Sequence, residues 1–302
     1  MALMKQLAII GSTASGKSSL ALDLALSCNA VILSIDSLSI YTDINIASAK
    51  PTKEELSLVK HFGIDILRPD ETASVFTFIH EYHRACTYAQ EKSKNLIIVG
   101  GSSFYLKSMI DGLSPIPVIT HTVREEASFL LENTLNAHHF LANIDPLTMS
   151  TITTTDRYRI EKMLHLYLQT KTPPSRWFEM HPPLSVITQC PILNIDVERA
   201  YLRERIALRT QLMIGNGLID EVAQCEQLYG RHPNSMKAIG MVETLDYLDG
   251  KCSKQELFQL ISTHTAQLAK RQQTFNTHQF TLTASQSAKK LYSIGETLLQ
   301  QS

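Results

Sequence analysis

A chain of 302 residues, 44% hydrophobic with a mean hydropathy of -0.05, can bury a sizeable core in one large domain or two modest ones. A formal net charge of -1 excludes a wholesale basic polyanion binder, and five cysteines with no CxxC pair argue against a zinc site or a disulfide framework. No apolar run reaches the ~18 residues of a membrane span, and Met1 to Gln6 leads into the first apolar stretch without a cleavable leader, so a soluble cytoplasmic protein is expected.

Leu7-Ala8-Ile9-Ile10, closed by Gly11, predicts a buried parallel strand. A glycine loop follows, then a helix from Ser18 to Ser27 with Leu20, Ala21, Leu24 and Ala25 on one face. The loop, Gly11-Ser12-Thr13-Ala14-Ser15-Gly16-Lys17-Ser18, matches GxxxxGK[ST] between a strand and a helix. Its glycines let backbone N–H groups converge, and the helix N-terminus adds partial positive charge. Lys17 brings a full charge to phosphate oxygens, and Ser18 offers a hydroxyl to Mg2+. The pattern therefore predicts a di- or triphosphate ligand without saying which.

Ala30 to Ile35 reads as a second strand and ends at Asp36-Ser37, an acid at the sheet edge where ligands of open α/β sheets sit. A plain turn role for Asp36 fits the residue type equally well. A helix is expected over Phe76 to Lys92, then a third strand, Asn95 to Val99. That strand ends in Gly100-Gly101-Ser102, without the acid that many nucleotide-hydrolysing relatives of this loop carry. Group transfer to a bulky acceptor suits the set better than ATP hydrolysis, and a small-molecule kinase also fits. Ser114-Pro115-Ile116-Pro117 reads as a linker into a strandless helical segment, and Ile192 to Ile195 as a fourth strand. Helices are expected at Glu198–Met213, Leu218–Leu228, Met236–Leu248 and Lys254–Gln273, with Thr281 to Ser287 either a last strand or a loop. Strand–helix alternation predicts an α/β fold, a P-loop parallel-sheet core flanked by helices. The core is assigned to 1–113 plus 191–302, with a helical insertion at 114–190. Residues 1–149 hold 11 Lys+Arg against 15 Asp+Glu, net -4, and residues 150–302 hold 17 against 14, net +3. Any phosphate-binding face is thus expected to draw on the second half.

The order of these motifs resembles the bacterial tRNA dimethylallyltransferases, also called tRNA isopentenyltransferases. The loop resembles that family's GPTASGKT, and Ser34-Ile35-Asp36-Ser37 with Tyr41 its S-x-D-S-x-x-x-Y. Ala47 to Thr52 resembles G-T-A-K-P-T, Gly100 to Tyr105 resembles G-G-T-G-L-Y, and Arg205-Ile206 with Arg209, Met213, Gly217-Leu218 and Glu221-Val222 resembles R-I-x-x-R-x-x-x-M…G-L-x-x-E-V. Ala238-Ile239-Gly240 with Glu243 is similar to A-I-G-Y-K-E, and Lys270-Arg271-Gln272 with Thr274-Phe275 to K-R-Q-x-T-W. Ala47, Ser48, Phe62, Thr265-Ala266 and Phe275-Asn276-Thr277 depart from the pattern.

The resemblance implies that Gly11 to Ser18 holds dimethylallyl diphosphate with Mg2+ on Ser18, and that the acceptor is N6 of adenosine 37 beside the tRNA anticodon. It implies Asp36 as general base, Arg205 as the arginine on the leaving diphosphate with Arg209 as alternative, and Thr13 near the leaving oxygen. It also implies tRNA contacts by Asp36, Ser37, Leu38, Ser39, Ser102, Arg124 and Arg159, in a monomeric enzyme. Phe104, Tyr105 and Met109 are assigned to the core. An adenylate isopentenyltransferase and a non-catalytic RNA-binding protein are the remaining alternatives.

Overall fold

The computed structural model describes residues 4–300, which form two compact units. One unit runs up to Met109 and resumes at Ile187; the other is Ile110–Val186.

The first unit is built on a six-stranded parallel sheet in the order β3-β2-β4-β1-β5-β6. Its central strands are β1 (Gln6–Gly11), β2 (Ala30–Ser34) and β4 (Asn95–Gly100), which are buried on both faces and so read as unbroken apolar runs. β5 (Ile192–Ile195) and β6 (Ala284–Gln286) extend one side, β6 resolving the Thr281 to Ser287 stretch as a strand. β3 (His61–Phe62) on the other edge is two residues long, too short for any periodicity to announce it. Helix α1 (Lys17–Ser27) turns Leu20, Ala21, Leu24 and Ala25 onto the sheet, joined there by Leu291 and Leu299 of α14 (Ala288–Gln300). A Cβ on Gly295 of α14 would meet Leu24 at 2.7 Å, so glycine permits the close helix approach. The sequence reading leaves α14 out altogether.

Helix α2 is Lys53–Leu58, α3 is Val75–Glu91 and α4 is Ser103–Asp111. Behind the sheet lie α10 (Arg199–Gly215), α11 (Leu218–Tyr229), α12 (Met241–Leu248) and α13 (Lys254–Gln279). The single helix expected over Met236–Leu248 is broken. A 3-10 turn at Asn234–Lys237 is separated from α12 by Gly240, whose φ of 94° no helix interior accepts.

The second unit packs α5 (His121–Leu130), α6 (Thr134–Ile144), α7 (Pro146–Met149), α8 (Arg157–Thr170) and α9 (Pro174–Met180) around Ala127, Leu141, Ile160 and Leu164. Asp145 joins two of these helices: its carboxylate accepts from Thr148 N and Oγ1 and from Ser175 N. The unit begins at Ile110 and ends at Val186, four residues before each expected limit. The offset has a local cause. Leu113 bridges Leu184, and Trp177 Nε1 donates to Pro115 O, so the proline-rich segment belongs to the helical unit.

Candidate functional site

The site lies in the first unit, at the C-terminal edge of the sheet, where β1 passes into α1. The turn between them demands two left-handed residues, Ala14 at φ 61° and Gly16 at φ 95°. Ser15 N closes the turn on Ser12 O, and Gly16 O receives Leu20 N as α1 begins. Ser12 and Ser15 keep buried hydroxyls without a protein partner. Buried donors of this kind cost stability unless something answers them, and an anion seated in the loop would do so.

Lys17 folds back to donate Nζ to Ser12 O at 3.2 Å. Burial pushes its pKa down to about 8, against the pull of Asp36 and with the push of Arg209. Arg209, on α10, donates to Thr13 Oγ1 at 3.3 Å, and burial lowers its pKa as well, again opposed by Asp36. Two cations and one carboxylate thus share one wall, with a surplus of positive charge removed from water. A multivalent anion is the ligand such a wall favours.

Asp36 occupies both roles that its residue type allows. Oδ1 accepts Leu38 N at 2.9 Å and Ser39 N at 3.2 Å and so shapes the turn after β2. Among the described residues Oδ2 takes no hydrogen bond, and Asp36 lines a cavity of about 590 Å³ together with Lys17, Ser18 and Arg209.

The remaining cavity wall divides by chemistry. Ser37, Leu38, Ser39 and Ser102 line one side, where Ser102 Oγ accepts Ser37 N at 3.0 Å. Ser39 is itself buried, with its hydroxyl against Ser34 Oγ at 3.2 Å. Ile206 and Met213 of α10 and Ile261, Leu268 and Phe275 of α13 give an apolar side. Ala47, Ser48 and Ala49 close another, on a loop gripped by Glu221, whose carboxylate accepts the backbone N–H groups of Asn45, Ile46 and Ala47.

The two arginines stand differently toward the cavity. Arg209 lines the cavity, whereas Arg205 is outside its lining, with its guanidinium 3.5 Å from where a Cβ on Gly16 would stand and over the ring of Tyr201. Phe104 also departs from its core assignment: it is 59% exposed and lines the cavity. Tyr105 stacks on Phe78 and Met109 is fully buried, as expected of core residues. Arg124 and Arg159 are exposed residues of the helical unit, on α5 and α8, and Arg159 pairs with Asp156 at 3.4 Å.

Sequence reasoning passes over Gln272, which lines the cavity and bonds to the phosphate loop, and over the Glu221 clamp. Both stand in segments quoted above for their likeness to family motifs, but nothing in their spacing says what they touch. Among the described residues there is no group of three or more His, Cys, Asp or Glu able to hold a metal ion. A divalent cation here would need ligands from its substrate, as Mg2+ bound to phosphates commonly does. Ser18 and Asp36, which line the same cavity, suit that arrangement.

Comparison with known proteins gives concordant results. Residues 39–279 match a family described as IPP transferase, a span that begins after the phosphate loop. The chain is 53% identical over 291 residues to the tRNA dimethylallyltransferase of Sulfurimonas denitrificans, covering 96% of this chain and 98% of that one. It is 49% identical over 278 residues to the tRNA dimethylallyltransferase of Sulfurovum sp., covering 92% of each. Its structure is similar to that of the full-length tRNA isopentenylpyrophosphate transferase of Bacillus halodurans, with a TM-score of 0.71 and 26% identity over 99% of this chain and 97% of that one.

Proposed function

The chain belongs to the IPP transferase family, and on that premise we propose that it transfers a dimethylallyl group from dimethylallyl diphosphate to N6 of adenosine 37 in tRNA, releasing diphosphate. The observation that carries this reading is the meeting of Lys17, Arg209 and Asp36 on one cavity wall at the end of a strand–loop–helix phosphate cradle.

The loop holds the diphosphate, with Lys17 and Arg209 facing its charge as the C1–O bond breaks and the electron pair leaves with oxygen. Thr13 Oγ1, already bonded to Arg209, keeps that guanidinium against the loop. N6 of adenine forms the new bond to C1, and its proton passes to Oδ2 of Asp36, the carboxylate oxygen left free by the turn. That proton acceptor matters because the N6 lone pair is delocalised into the ring. Ser18, with Asp36 nearby, would hold Mg2+ together with the bound donor, and the cation would supply further neutralisation of the leaving group. The apolar side from α10 and α13 suits an isoprenoid chain.

The acceptor adenine has to leave the anticodon loop to reach a cavity at the sheet edge. Asp36, Ser37, Leu38 and Ser102 line it, with Ser39 buried beneath them, and exposed Phe104 offers a ring, so we place the tRNA there with a single copy of the chain acting alone. No helix among the described residues is long and apolar enough to cross a membrane, and a cytoplasmic reaction on tRNA is part of this proposal. β4 ends in glycines where an ATP-hydrolysing site would carry an acid, so the loop serves the isoprenoid diphosphate in preference to ATP.

The test is incubation with dimethylallyl diphosphate, Mg2+ and unmodified tRNA, followed by mass analysis of the nucleosides. Isopentenyladenosine is the expected product. Turnover of ATP on a small hydroxyl compound, with no modified nucleoside, would refute the proposal in favour of a kinase.

A further inference from the structure

Gln272 sits on α13, far along the chain from both the phosphate loop and the strand end that it touches. Its Oε1 accepts Thr13 N at 2.8 Å, and its Nε2 donates to Gly101 O at 2.9 Å. Thr13 N can only donate and Gly101 O can only accept, so a single orientation of the amide satisfies both. Gly101 permits the contact because it lacks a side chain: a Cβ there would stand 2.8 Å from Nε2 and 3.5 Å from Lys17 Nζ.

The bonds continue on both sides. Thr13 Oγ1 receives Arg209, and Lys17 follows in the same loop. Beyond Gly101, Ser102 Oγ accepts the N–H of Ser37, next to Asp36. One side-chain amide thus links the loop that carries Lys17 to the end of β4, whose Ser102 in turn holds the turn that carries Asp36.

We propose that Gln272 is a positioning residue that holds the phosphate loop and the Asp36 turn in one rigid frame, so that the donor's C1 and the adenine N6 meet at fixed separation. This deepens the transferase reading and rests on it. The geometry gives the reason: β1 and β4 are neighbours in the sheet, but their exits, Thr13 and Gly101, each leave a backbone group pointing away from the ladder. The amide satisfies both groups at once, and without it each loop is free to relax separately.

Two full-length variants test this. Gln272→Met fills the same space without polar atoms, and Gln272→Glu keeps an acceptor for Thr13 N but sets an oxygen against Gly101 O. Donor affinity, tRNA affinity, melting temperature and the single-turnover transfer rate at saturating donor and tRNA are measured for each. The expected result is a single-turnover rate about 30-fold lower in Gln272→Met, and lower again in Gln272→Glu, with tRNA affinity and melting temperature close to the parent. A purely structural role for this half-buried side chain would leave Gln272→Met at the parental rate, and that result overturns the proposal. So does a weakened donor affinity in both variants with the saturating rate unchanged, because the bridge would then serve binding alone. Should the parent chain itself fail to modify tRNA, the transferase reading falls; parental transfer with an unaffected Gln272→Met variant removes only this inference.

Discussion

The sheet-bearing unit and the helical unit treat charge in opposite ways. In the first, Lys17 and Arg209 are drawn out of water beside a single carboxylate, and burial lowers the pKa of each. In the second, Asp145 is buried but accepts from Thr148 and Ser175, while Arg124 and Arg159 stay at the surface. Partial desolvation without full pairing costs folding energy, and proteins retain it where a ligand completes the balance. The contrast locates the chemistry in the sheet-bearing unit and leaves the helical unit a role that exposed cations can fill. Four experiments test that division.

Asp36→Asn carries the largest expected effect. The amide oxygen still accepts Leu38 N and Ser39 N, so the turn survives, but no proton acceptor remains for N6. Transfer should fall by about 10³-fold with tRNA affinity retained. A variant that transfers at the parental rate would return Asp36 to a turn residue and remove the base from the mechanism. Next comes the pair of arginines. Arg209→Ala should lower transfer by about 10²-fold, whereas Arg205→Ala, outside the cavity lining, should cost less than about tenfold by the same reasoning. The reverse order would make Arg205, beside Gly16, the arginine that meets the diphosphate.

The pH dependence of donor binding comes third. Lys17 is protonated below about 8 and begins to lose its charge above that value, because burial has pulled it down from 10.5. A bound diphosphate favours the charged form and raises the pKa again. Donor affinity should therefore be level, as far as Lys17 is concerned, below pH 8 and decline by up to about tenfold per pH unit above it. Binding near pH 8 to 9 should take up a proton, seen as a dependence of calorimetric heat on the buffer. For the free protein the sign is opposite: the unfolded chain holds this proton up to its ordinary value, so the contribution of Lys17 to stability improves as pH rises above 8.

How much of this was legible in the sequence follows from the distance over which each feature is specified. The phosphate loop was readable in full, because a local turn, a helix start and a lysine are all encoded within eight residues, Gly11 to Ser18. The strands β1, β2 and β4 were readable because burial on both faces forces them to be apolar throughout. Arg209 and Arg205 were not separable, since both lie on one helix and only the packing of α10 decides which reaches the cavity. Gln272 meets Thr13 across 259 positions and Glu221 meets Ile46 across 175, and nothing local in the chain encodes either meeting. Phe104 was assigned to the core by its type alone; its neighbour Tyr105 took that place against Phe78.

The smallest expected effect concerns the helical unit. Residues 110–186 hold 6 Lys+Arg against 8 Asp+Glu, so the unit offers tRNA no general attraction, and any contact must come from particular side chains. Arg159 is held by Asp156 at 3.4 Å within one helix and is 66% exposed, a pair weak enough to exchange for a phosphate. Arg124 is exposed on α5, which packs against α8. If each touches one phosphate, Arg124→Ala and Arg159→Ala should weaken tRNA binding a few-fold and each reduce the slope of log affinity against log salt by about 1. Neither should alter the decline of donor affinity above pH 8, which belongs to Lys17 in the other unit. Salt dependence and pH dependence would then report the two units separately. An unchanged salt slope in both variants would move the tRNA backbone off this face of the helical unit, while leaving the cavity chemistry where Lys17, Asp36 and Arg209 put it.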